Sequence, residues 1–156
     1  MRDGLYVAPS SVHGKGLFAS QRILRGGFVG FYTGNPMCTH EYNRHSRART
    51  ALATNAMQNG RFVMIPDPSR DTLMFVNEPP PGSIANCTMA ILVRDAYRAV
   101  AYYATRDIRA HEELYIHYGV KYHRRPYRIG RPGEALREHE LETPRGRPPK
   151  RAFVPQ

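Results

Sequence analysis

Short runs of aromatic and β-branched residues, each closed by Gly, Pro, Asn or Ser, set the rhythm of the chain from its start to about Tyr118. "GLYVA", "GLFAS", "FVGFYTG" and "RFVMIP" have strand length and strand composition. Asn59-Gly60, between "LATNAMQ" and "RFVMIP", predicts a hairpin, because both central positions of a type I′ turn need positive φ. "CTMAILV" and "RAVAYYATRDI" predict a second hairpin with "RDAY" at its tip. "HEYNRHSRARTALA" predicts one helix in the middle of the chain, with Thr39 as its N-cap. The fold class that follows is mostly β, small sheets with few short helices. Neither a strand–helix alternation nor an internal repeat is present.

The stretch "NEPPPGSIANC", Asn77 to Cys87, breaks this rhythm. Its three prolines fix φ and remove backbone donors, so it can be neither helix nor central strand. Two asparagines bracket a rigid excursion that another part of the fold must hold. After Tyr118 the text turns basic and aromatic in "GVKYHRRPYRIGRPG", becomes one short helical segment in "EALREHELE", and ends in "TPRGRPPKRAFVPQ", which has too little apolar content to pack. These shifts predict a globular domain over residues 1–130, then a helical segment and a basic disordered tail over 131–156.

Composition narrows the function classes. The 156 residues are 41% hydrophobic, which suits one domain with a core. Lys and Arg number 23 against 13 Asp and Glu, a net charge of +10 that points to an acidic partner such as nucleic acid. Cys38 and Cys87 are too few for a disulfide scaffold or a four-cysteine zinc site, and the histidines lack ligand spacing, so reduced thiols, an intracellular setting and no metal are expected. "MRDGLYVAPS" has no apolar signal core and no run is long enough to span a bilayer, which predicts a soluble protein without a membrane partner.

Four segments in order carry the chemistry: "HGKGLFA" at 13–19, "FYTG" at 31–34, "FVNEPPPGSIANC" at 75–87 and "DIRAHEELYIHYG" at 107–119. Together, over roughly residues 4–120, they resemble the SET-domain family of protein lysine methyltransferases. Gly14-Lys15-Gly16 is similar to that family's GxG, Tyr32-Thr33-Gly34 to its YxG, Asn77 and Asn86 to the first and last asparagines of its NHxxxPN, and Glu113-Leu114 with Tyr118-Gly119 to its ELxxxYG. The resemblance implies a pseudoknot of the third and fourth segments, S-adenosylmethionine on one side and a narrow lysine channel on the other. It assigns Lys15, Gly16, Asn77, Glu78, Asn86 and Tyr118 to the cofactor, Tyr118 and Tyr32 to catalysis, and Tyr32, Ile116 and Tyr122 to the channel. The chain departs from the pattern where Glu78 stands for the usual His, where the stretch from Asn77 to Asn86 is longer, and where Ile116 replaces Phe or Tyr. It also lacks flanking cysteine-rich segments, which leaves Tyr122, Tyr127 and the basic stretch between them to close the channel.

Methyl transfer from a sulfonium to an amine needs alignment and a dry channel rather than a general base. Burial and the sulfonium charge both lower the acceptor lysine's pKa from about 10.4. The remaining tyrosines, including Tyr97, Tyr102 and Tyr103, read as ordinary strand aromatics. Glu112 and Glu113 are neighbours on a strand and face opposite ways, so they cannot act as a carboxylate pair, and Glu113 reads as a structural acceptor. "PRGRPPK", 144–150, resembles an AT-hook core: Arg145 and Arg147 would enter the narrow, negative minor groove of A·T tracts, with Gly146 on its floor. The whole predicts a methyltransferase of histone tails in a nuclear setting, with a homodimer permitted. A non-catalytic DNA-binding scaffold of the same fold, and a methyltransferase of a non-histone protein, stay open.

Overall fold

Buried Leu17 and Ala19 flank the half-exposed Phe18, a strand's period of two, in the first hairpin. In the computed structural model, which describes residues 4–47, 57–59, 61–94, 97–119, 128–144 and 149–155, β1 (Leu5–Pro9) pairs antiparallel with β2 (Lys15–Ala19) from Leu5↔Ala19 to Pro9↔Lys15. Leu17 and Ala19 are sealed from solvent on one side of this ribbon. The turn between the strands closes through Ser10 N–H to the Gly14 carbonyl at 2.9 Å, with Gly14 at φ 50°. That left-handed conformation is one glycine adopts without a Cβ penalty.

The other elements follow as β3 (Phe28–Tyr32), β4 (Asn35–Cys38), α1 (Thr39–Arg47), β5 (Met57–Asn59), β6 (Phe62–Ile65), β7 (Cys87–Arg94), β8 (Tyr97–Ala104) and β9 (Phe153–Pro155). The sheets are small: β1-β2, then β3-β8-β7 with β9 on the first residues of β8, then β4-β6-β5. No helix of the described residues is long and apolar enough to cross a membrane. The expected strands of the first half are found and β7 and β8 are neighbours as expected, but the Asn59-Gly60 turn is corrected in register: Asn59 belongs to β5 and pairs with Phe62, so it is a strand residue and not a central residue of the turn. Gly60 and the tip of the β7–β8 hairpin lie outside the described residues. Tyr102 and Tyr103 are buried core residues of β8.

The chain divides into two compact units, Met1–Val29 with Phe75–Met89 and Tyr102–Thr143, and Gly30–Met74 with Ala90–Ala101 and Pro144–Gln156. The first has a core of Leu17, Val76, Ile108, Leu114 and Ile116. The second buries Phe31, Val63, Met64, Leu73 and Val100. Within it β4 lies on one edge of its sheet, and Pro36, which has no N–H to donate, is tolerated there.

Several expectations about the second half are corrected. The boundary at Gly130 falls inside the first unit: Gly130 donates to the Pro79 carbonyl at 3.0 Å, and Arg131 bridges Ile84 in parallel. "EALREHELE" is not a continuous helix, because only Glu138–Glu140 forms a single 3-10 turn. Three of its four carboxylates are engaged in ion pairs and caps instead. Arg25 pairs with Glu134 and Glu140, and Glu142 accepts the Phe28 N–H. The disordered tail is corrected for residues 149–155, which form a 3-10 turn at Lys150–Ala152 and then β9. Arg151 pairs with the buried Asp71, and Phe153 lies 6.3 Å from Phe31, ring to ring. Thr39, expected to cap α1, donates its hydroxyl to the Arg61 carbonyl of the chain entering β6.

Asp71 is buried and also accepts from Thr33 and from the Asp67 N–H. Removing its cation leaves a carboxylate with reduced compensation. We expect Arg151→Ala to lower unfolding free energy by about 2 kcal/mol in urea melts, while Lys150→Ala, exposed and outside the pair, stays within about 0.5 kcal/mol of the parent.

Candidate functional site

The proline excursion is held from two sides within the first unit. Its arms, near Asn77 and Asn86, both bond the segment Glu113–Tyr118. Asn77 and Tyr115 form a parallel bridge, Ile116 N–H donates to the Asn77 carbonyl at 2.9 Å, and Cys87 N–H donates to the Tyr115 carbonyl at 2.9 Å. Tyr115 thus lies between the two arms, the interleaving that the resemblance implies. On the other side Gly130 and Arg131 grip the prolines: Gly130 packs so closely on the Ser83 and Pro80 carbonyls that no Cβ could be added.

Glu113 is the hub. Its carboxylate is almost fully buried and accepts from Asn77 Nδ2 at 3.0 Å, Ser10 Oγ at 3.0 Å and the Tyr115 hydroxyl at 3.0 Å. Burial, and then the hydrogen bond to Glu113, push the Tyr115 hydroxyl well above the ordinary tyrosine range, so it acts as a neutral donor. Gly16 lies directly under the same carboxylate, and a Cβ there would collide with Oε1. Glu113 therefore requires a glycine at position 16, and the part of Gly16 in the cofactor site rests on the resemblance. Gly14 has open space beside it, and Lys15 is exposed.

Asn77 stitches the same place to the first hairpin. Its Nδ2 reaches the carbonyls of His13 and Lys15 at 3.3 and 3.2 Å, while its Oδ1 has no partner among the described residues. Asn86 differs. It is sealed from solvent, with Nδ2 donating to the Glu113 carbonyl at 2.8 Å and to Glu112 at 3.3 Å, and Oδ1 accepting the Tyr115 N–H at 2.7 Å. Its amide is committed to holding the strand segment, and its side chain keeps no group for a ligand.

Glu78 also finds its reason. It is buried, and its Oε1 accepts the Tyr118 N–H at 2.8 Å. Tyr118 in turn donates its hydroxyl to the Val76 carbonyl at 2.7 Å, and Gly119 N–H donates to His117 Nδ1. Tyr118 is therefore fixed at both its backbone and its ring tip. Ile116 is buried in the same unit. Tyr32 is buried in the second unit, where Gly34 packs on the Ile65 backbone too tightly for a Cβ. Its expected part in the channel rests on the resemblance alone. Tyr122, Tyr127 and the arginines beside them, and Arg145, Gly146 and Arg147, lie outside the described residues.

Glu112 faces away from Glu113, as alternation requires, towards Arg106 and the Arg109 N–H. Burial raises its pKa, but the Arg106 hydrogen bond, the Arg109 N–H and the Arg106 charge outweigh it and leave the carboxyl below its ordinary 4.5. Two residues that sequence reasoning missed, Ser10 and Tyr115, complete the Glu113 hub. Their signal was the register of β1–β2 and the alternation along 113–115, which place them beside Glu113 only once the hairpin is paired.

A SET-domain family model matches residues 14–119, and the chain belongs to that family. Its fold is also similar to the crystal structure of a candidate histone methyltransferase of Plasmodium falciparum, with TM-score 0.57 and 18% identity, covering 78% of this chain and 98% of that one. No curated protein matches the chain by sequence. Proteins of this family are generally protein lysine methyltransferases.

Two outcomes follow from this geometry. Gly16→Ala should lose about 2 kcal/mol of stability through the clash with Glu113, whereas Gly14→Ala is limited to its backbone strain of about 1 kcal/mol, both read from urea melts. A depressed folded pKa at Glu112 contributes stability above its unfolded value and loses it as pH falls. Melting temperature should decline from about pH 5 towards about pH 3, and Arg106→Ala should flatten that decline.

Proposed function

We propose that the chain is an S-adenosylmethionine-dependent protein lysine methyltransferase. The observation that carries it is the double fixing of Tyr118, by Glu78 at its N–H and Val76 at its hydroxyl, beside an asparagine whose Oδ1 is free among the described residues. The donor set fits the cofactor: Asn77 Oδ1 is an acceptor for an α-ammonium, Gly14 leaves open space, and exposed Lys15 offers a cation to a carboxylate. When bound, S-adenosylmethionine would supply a methyl group on a sulfonium.

Tyr118's proton is directed at the Val76 carbonyl, so the hydroxyl oxygen presents lone pairs rather than a donor. Such an oxygen orients an ammonium or amine and cannot compete with it for a proton. Fixing Tyr118 at its backbone and at its ring tip removes freedom that would otherwise be lost at the moment of reaction. The buried Ile116 supplies an apolar wall, which disfavours the charged form of a lysine and aids its deprotonation. The Glu113 hub touches no substrate in this scheme. It holds the Gly14–Gly16 backbone and Asn77 in one geometry.

The substrate we favour is a histone tail, with Arg145 and Arg147 tethering the enzyme to AT-rich DNA in a nuclear setting. The net charge of +10 supports a polyanionic neighbour, and a DNA anchor would raise the local concentration of tails. Glu142 before the segment and Arg151 after it are both bonded, so a truncation there would also remove the Arg151–Asp71 pair. The anchor is therefore better probed by substitution than by truncation.

Radiolabelled transfer to nucleosomes, with calorimetric titration of S-adenosylmethionine, tests the reading. Tyr118→Phe should lower turnover about a hundredfold with cofactor affinity nearly intact. Asn77→Ala should weaken cofactor affinity by about tenfold, with a melting temperature that accounts for only part of the loss. Equal loss of binding and turnover in Tyr118→Phe, or no binding by the parent chain, would contradict the proposal.

A further inference from the structure

An open cleft in the first unit is lined by Arg22, Arg106, Asp107, Arg109, Ala110, His111 and Glu112. It adjoins the site just described at Glu112, whose Oε1 accepts from both Arg106 and Asn86. Two of its arginines are compensated: Arg22 pairs with Asp107, and Arg106 with Glu112. Arg109 is exposed, and its guanidinium meets no partner among the described residues. Three cations against two carboxylates leave one positive charge uncompensated at the mouth.

His111 beside it stands at φ 64°, the one non-glycine residue in the left-handed region among the described residues. It is the third residue of a turn closed by Glu112 N–H to the Arg109 carbonyl at 3.2 Å, a position where glycine is the ordinary choice. A side chain kept there against backbone strain points to a use for the side chain. The imidazole is exposed and is fixed rather than free: its Nδ1 bonds the Tyr6 hydroxyl at 3.1 Å, and the two rings meet edge to face at 6.0 Å. Its Nε2 has no partner among the described residues, and Tyr6 itself stacks on Phe18 at 5.6 Å. A guanidinium fork and a held imidazole edge thus share the rim of one cleft.

We propose that this cleft binds the phosphate backbone of nucleic acid, with Arg109 and His111 Nε2 as its contacts. Arginine's planar fork matches a phosphate, and an open cleft admits a strand passing across it rather than a small molecule enclosed within it. The net charge of +10 favours a polyanion over an isolated phosphate group. The inference stands whether or not the chain transfers methyl groups.

The test is fluorescence anisotropy of a labelled mixed-sequence DNA duplex against the full chain carrying Arg145→Ala and Arg147→Ala, across a salt series. Adding Arg109→Glu should weaken binding about tenfold and reduce the log–log salt slope by about one. His111→Gly should raise the melting temperature, because strain is relieved, and yet weaken binding about threefold. That opposite movement separates a contact from a structural role. Methyl transfer to a free peptide should be unchanged in Arg109→Glu, so a failed methyltransferase reading would not be mistaken for a failed cleft. Unchanged duplex affinity and slope in both variants would overturn the proposal, as would a response confined to inorganic phosphate or to a phosphoserine peptide.

Discussion

A carboxylate buried without a cation among the described residues must be satisfied by hydrogen bonds or it destabilises the fold that surrounds it. Glu113 meets this condition through three donors, two of them from distant stretches: Ser10 in the first hairpin, Asn77 at the mouth of the proline loop, and Tyr115 two residues on. Of these, Asn77 belongs to the proposed cofactor site, and Ser10 sits beside the Gly14–Gly16 turn in the first hairpin. The site's geometry is therefore coupled to a single burial requirement, and Gly16, packed under the carboxylate, has no freedom to become anything larger.

The proline loop follows from the same constraint. A segment with few donors of its own cannot join a sheet, so its two ends are tied by asparagine side chains and its middle by backbone from Gly130 and Arg131. Asn77 and Asn86, alike in type, divide the labour. Asn86 is an internal strut with its amide fully committed, while Asn77 keeps an acceptor free. Glu78 is used in another way, since its buried carboxyl oxygen accepts the Tyr118 N–H. An acid that departs from the family pattern is thus part of what holds the proposed catalytic tyrosine.

Much of this was legible in the sequence, and for identifiable reasons. β1, β2, β3 and β6 were readable because each is a short apolar run ended by a turn residue, and the four ordered segments carried the family. Glu113 could be read as an acceptor from alternation alone. What sequence could not supply is which distant groups meet it, because Ser10 and Glu113 are brought together only by the hairpin's register. β4 was missed since Pro36 argues against a strand, and only an edge position permits one. The chain after Gly130 was misjudged for a related reason. Its low apolar content suggested no packing, but it is bound by arginines, carboxylates and backbone rather than by a hydrophobic face.

The central claim is that the interleaved segments around Glu113 leave Asn77 and the Gly14–Gly16 backbone ready for the methyl donor. A crystal structure of the chain grown with S-adenosylhomocysteine tests it most directly. The account predicts the ligand beside Gly14, with its ammonium on Asn77 Oδ1 and the Glu113 hub unchanged. A ligand seated away from Asn77, or a Glu113 carboxylate that leaves its three donors to meet it, would contradict the account.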